Sequence, residues 1–161
     1  MSFTRMPQLR SFDACGTFPW GVRAVLGYDR ELCREATTAF SRELSRSLKY
    51  RAKKLLGLRS ISDAHTGLIV TTHRLDGALR LNLHLHVLGL DGVYVRDDNG
   101  ELMFHALPTP TSAEVEDIAR RTAKRLHRAF QAQGRASPWD EEQSRGIDDS
   151  EPLRFDHPCI E

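Results

Sequence analysis

Seven consecutive residues, Leu81-Asn82-Leu83-His84-Leu85-His86-Val87, alternate apolar and polar without a break. A period of two belongs to a β-strand that buries one face and opens the other. Leu81, Leu83, Leu85 and Val87 fall on the side that must pack under a helix. Asn82, His84 and His86 fall on the opposite side. Two imidazoles at neighbouring same-face positions stand within reach of one metal ion. Such a pair suits a metal site that polarises a phosphodiester. It equally suits a solvated, hydrogen-bonded strand face, and spacing alone favours that plainer reading.

The flanking pattern extends this strand to about 79–90. Gly67 to His73 reads as a preceding strand, with Asp76-Gly77 as the turn between them. Asp91-Gly92 marks a turn or bulge, 93–96 stays extended, Asp97 to Gly100 is a turn, and 101–107 returns as a strand. Two helices bracket these strands. The first, about 29–56, starts at an Asp29 cap, carries apolar residues from Leu32 to Leu56 at helical spacing, and stops at Gly57. The second, about 112–133, opens on a Thr111/Glu114 capping box and ends at Gly134. Phe18 to Val22 reads as a short strand or an extended entry, and residues 1–17 carry little pattern. The order predicts an α+β fold: a small antiparallel sheet carrying the His-x-His strand, with helices packed on it.

Composition narrows the class. A chain of 161 residues suits one domain with a sizeable core. No apolar run reaches membrane-spanning length, and Met1 to Arg10 lacks a signal-peptide core, so a cytoplasmic, non-membrane protein is expected. Cys15, Cys33 and Cys159 are odd in number, far apart and form no C-x-x-C pair, which argues against a disulfide framework or zinc ribbon within these residues. The net charge of +1 conceals an asymmetry. Residues 1–137 hold 21 Lys+Arg against 14 Asp+Glu, whereas residues 138–161 hold 2 against 8. A basic body with an acidic end fits a polyanion-binding domain, and also a soluble domain with a solvated tail. Arg46, Lys49, Arg51, Lys53 and Lys54 form a basic run on the first helix. The second helix carries Arg120, Arg121, Lys124, Arg125 and Arg128. Such faces are usually just solvated, but against nucleic acid they would contact phosphates without reading sequence.

The run Ala78-Leu79-Arg80-Leu81-Asn82-Leu83-His84-Leu85-His86-Val87-Leu88-Gly89-Leu90-Asp91-Gly92-Val93-Tyr94 resembles the rolling-circle transposases of the insertion sequence ninety-one family, members of the HUH (His, hydrophobic, His) endonucleases. The similarity continues through Phe104 to Thr111 and the helix after it, and upstream through the basic helix between Val22 and Leu58. It covers residues 18–134, with 1–17 as a poorly patterned N-terminus and 135–161 as an acidic tail or linker.

The resemblance implies an antiparallel sheet with the His pair on a central strand. It also implies a divalent metal, Mg or Mn, that polarises the scissile phosphate of single-stranded DNA while a tyrosine attacks to form a 5′-phosphotyrosine link. His84 and His86 match the motif. His73, where the family more often has Gln, is a candidate third ligand or a strand-end histidine contacting water or phosphate. His65, His105 and His127 match no ligand position. Hard Mg prefers oxygen, so imidazoles fit Mn or Zn at least as well.

The family's cysteine-rich zinc segment has no counterpart here. Its catalytic tyrosines lie on a helix beyond the HUH strand, whereas the only tyrosines here are Tyr28, Tyr50 and Tyr94. The chain therefore resembles the central part of a transposase, shortened at both ends, that binds single-stranded DNA and a metal but is inactive alone. Two further readings stand beside it: a non-catalytic DNA-binding remnant, and an unrelated metal-dependent hydrolase using His84, His86 and an acid such as Asp91.

Overall fold

The computed structural model describes residues 11–136, Pro138 and the backbone of 154–156. The elements run β1 (Ser11–Thr17), α1 (Trp20–Tyr28), α2 (Arg30–Leu56), β2 (Ala64–His65), β3 (Leu68–Leu75), β4 (Leu81–Leu90), β5 (Gly92–Arg96), β6 (Leu102–Ala106), α3 (Ser112–Ala132) and β7 (Arg154–Asp156). The fold is α+β with two antiparallel sheets where the sequence suggested one. The first has the order β3-β4-β1-β7 and the second β2-β5-β6.

The long helices form where their caps predict. The Asp29 side chain accepts the amides of Glu31 and Leu32 at 3.0 and 2.9 Å, and Gly57 ends α2 at φ 66°. There a side chain would be strained. On α3 the Thr111 hydroxyl accepts the Glu114 amide at 3.3 Å while Glu114 accepts the Thr111 amide at 2.8 Å.

Two segments differ from the expectation. Residues 11–17 are a strand, and Trp20–Tyr28 is a helix rather than an extended entry. Phe12 and Ala14 alternate with Ser11 and Asp13, but so few residues give a weak period-two signal. In α1, Val22 and Leu26 are fully buried one helical turn apart. The three described residues of the acidic end pair with β1 as β7.

The main core joins Leu83, Leu85 and Val87 of β4 to Val22, Leu26, Leu32, Ala36 and Phe40 of α1 and α2, with Ile118, Leu126 and Phe130 of α3. α1, α2 and α3 thus cover the leucine face of the first sheet. Leu81 departs from the expected pattern: it is partly exposed and lies over Gly27 of α1, where a Cβ would come within 2.7 Å of its Cδ1. The second half of α2 leaves this core and packs Leu48 and Ala52 on Val93, Ala64 and Leu107 of the second sheet. One helix therefore serves both sheets.

The chain passes from one sheet to the other at Leu90-Asp91-Gly92. A Cβ on Gly92 would meet the His105 carbonyl oxygen at 2.3 Å, a backbone atom that cannot turn aside. Gly92→Ala should therefore cost more than the 1–3 kcal/mol typical of overpacking. Urea unfolding checks this, and a variant within about 0.5 kcal/mol of the parent would refute the close approach.

Candidate metal centre

His84 and His86 lie on the face of β4 opposite the buried leucines, because successive side chains alternate. β4 is central, hydrogen-bonded to β3 on one side and β1 on the other. The β3 register sets His73 directly against His84. Three imidazoles from two strands meet on the open face. Ring centroids are 4.3 Å apart for His73 and His86, 4.8 Å for His84 and His86, and 5.4 Å for His73 and His84.

One nitrogen from each ring lies within 4.8 Å of the others, a group that can hold a metal ion. Two nitrogens bound at about 2.1 Å to one ion stand at most about 4.2 Å apart. Small ring rotations on binding would close the outermost gap.

His84 is oriented for this role. Its Nδ1 lies 2.5 Å from the carbonyl oxygen of Asn82. A carbonyl only accepts, so Nδ1 carries the proton and Nε2 keeps its lone pair for a ligand. His86 is held below its ordinary value of 6.5, first by burial, then by the repulsion of His73 and His84, with Asp13 opposing. A neutral imidazole is the form that binds metal. The neighbour strand β1, unread in the sequence, contributes this Asp13, and it also places Cys15 opposite His86 and Thr17 opposite His84.

The remaining sequence candidates lie elsewhere. Asp91 is on the bend between the sheets and lines a cavity of about 350 Å³ on the helical side with Phe12, Phe40, Leu44 and Ile118. It does not join the histidines, and the hydrolase reading loses its acid. His65 and His105 are on the second sheet, and His127 on α3 meets Gln131 at 3.0 Å. Tyr94 is also on the second sheet, against Phe104.

The basic run on α2 divides. Arg51 is largely buried, donates to the Pro108 carbonyl and pairs with Glu114 at 3.5 Å, so it braces α3. Lys53 donates to the Arg59 carbonyl at 2.9 Å. Arg46 is exposed and sits 5.3 Å over the Tyr50 ring. Lys49 is half-buried and Lys54 exposed.

No helix among the described residues is long and apolar enough to cross a membrane. No family model, curated protein or solved structure matches the chain.

Proposed function

We propose that this chain is an HUH-type domain of a transposase, which binds single-stranded DNA and one divalent metal ion on the open face of its first sheet. The observation that carries the reading is the convergence of His73, His84 and His86 on that face. It is supported by the likeness of residues 78–94 to the insertion sequence ninety-one family. The donor set fits a resident ion, since three neutral nitrogens leave positions free for a phosphate oxygen. When bound, the ion would supply positive charge to a scissile phosphodiester.

The chain's own residues then do the rest. Asn82 fixes the His84 tautomer through its backbone carbonyl, and Asp13 lends β1 a negative charge beside His86. Arg46, Lys49 and Lys54 are on α2, which packs on the other face of the first sheet, so they do not contact a strand held at the histidines. No tyrosine is on a strand of the histidine sheet: Tyr28 ends α1, Tyr50 is on α2 and Tyr94 is on β5. Nucleophilic attack needs an oxygen held near the phosphorus, within about 3–3.5 Å, so this domain binds without efficient cleavage.

The test is labelled single-stranded DNA titrated with protein, with and without Mn or Zn, followed by denaturing electrophoresis. Metal-enhanced, salt-sensitive binding without a covalent band is expected. DNA binding indifferent to metal would leave only the DNA-binding remnant. Metal binding without DNA binding would overturn the transposase reading. A protein-linked band lost in Tyr94→Phe would overturn the assignment of an inactive domain.

A further inference from the structure

A basic locus lies on the side of the molecule away from the histidines. α2 and α3 pack side by side on the leucine face of the first sheet, so their outward surfaces point away from the histidines. Between them runs a groove of about 260 Å³, lined by Arg42 and Thr38 of α2, Arg125 and Arg128 of α3, and floored by Ala39 and Ala129. Small floor residues leave room between the guanidinium groups.

The charges in this groove are not balanced within it. Arg125 is engaged by the buried Glu43. The acid in the lining, Glu35, pairs with Arg34 at 3.1 Å. Arg42 and Arg128 are exposed, and among the described residues neither has an ion-pair or hydrogen-bond partner. Two unpartnered guanidinium groups flanking a cleft oppose each other electrostatically, an arrangement stabilised by an anion between them. Planar guanidinium forks match phosphate oxygens in pairs.

The geometry points to this groove as a phosphodiester-binding site, which holds a nucleic-acid segment separate from the one at the histidines. The inference extends the transposase reading, in which one strand occupies the histidine face. A phosphate in the groove is separated from that face by the helical layer and the sheet. The molecule would therefore grip nucleic acid at two loci on opposite sides, one metal-dependent and one not.

The experiment uses the full chain in a chelator, so that no ion occupies the histidine centre. Binding of a single-stranded oligonucleotide and of a self-complementary hairpin is followed by fluorescence anisotropy across a salt series. The parent is compared with Arg42→Ser/Arg128→Ser. Arg125 is left in place because it partners Glu43.

Losing two phosphate contacts should flatten the slope of log affinity against log salt by about 1.4 for single strands or about 1.8 for duplex. Flattening with the hairpin alone would identify a duplex segment, and flattening with the single strand alone an unpaired one. An Arg80→Ser/Arg96→Ser control removes the same charge from two hairpin turns. Unchanged slopes with both probes would overturn the proposal. So would an equal change in the control, which would mean general charge attraction. Failure of metal binding at the histidines leaves this measurement untouched, so the two readings fall separately.

Discussion

Replacing His84 or His86 by alanine should abolish the stabilisation of the folded protein by zinc or cobalt. An ion present at about 100 times its dissociation constant stabilises the state that binds it by about 2.7 kcal/mol. For a chain of this size that raises the unfolding midpoint by about 5–10 °C. Loss of a partner that merely orients a ligand weakens metal binding about 10–100-fold, and loss of a ligand should exceed that. His73→Ala should show the same direction, which would establish the third ligand.

Three imidazoles should favour zinc or cobalt over manganese, and manganese over magnesium. Because His86 lies below 6.5, it stays neutral where an ordinary imidazole is protonated. Its contribution to the stability of the metal-free protein is therefore complete above about pH 6.5 and is lost as pH falls below it. Ion affinity should likewise increase with pH as protons cease to compete. Scanning calorimetry of parent and variants with each ion checks all of this. Equal midpoints with and without zinc in the parent would exclude the centre.

Arg125→Ala should be the most destabilising surface substitution in the helical layer. Its partner Glu43 is 3% exposed, and the second carboxylate oxygen, Oε2, has no hydrogen-bond partner. Removing Arg125 strands a buried carboxylate between α2 and α3, which costs about 3–5 kcal/mol. Glu43→Leu should behave differently. Arg125 is 41% exposed at its side chain and can turn to water, so deleting the acid is expected to be near neutral or stabilising. Urea denaturation of both variants decides the matter. A cost below about 1 kcal/mol for Arg125→Ala would show that the pair contributes no more than an exposed one.

What could be read from the sequence follows from how locally each feature is encoded. The strict alternation at 81–87 and the caps at Asp29, Gly57, Thr111 and Gly134 are properties of neighbouring residues, and they placed β4, α2 and α3 within a residue or two. The common face of His84 and His86 is equally local. That His73 joins them depends on the β3–β4 register, which the Asp76-Gly77 turn hinted at but could not fix. β1 was missed because Phe12 and Ala14 are too few to establish a period, and its place beside β4 is set by tertiary pairing. With β1 went Asp13, the acid that acts on His86. The basic run on α2 showed its charge but not its employment: Arg51 and Lys53 serve the fold, whereas Arg42 and Arg128, 86 residues apart in sequence, meet only through packing.

The unequal position of the three histidines in the sheet has a further consequence. His84 and His86 belong to a strand paired on both sides, whereas His73 belongs to β3, an edge strand, and the register shifts between His73 and Leu75. Amide exchange should therefore be slowest at the pair and faster at the third. The centre divides into two jaws of different stiffness. An incoming ion meets a rigid pair and draws in a compliant partner, so ions of different radius can be accommodated by moving one edge strand while the central one stays still.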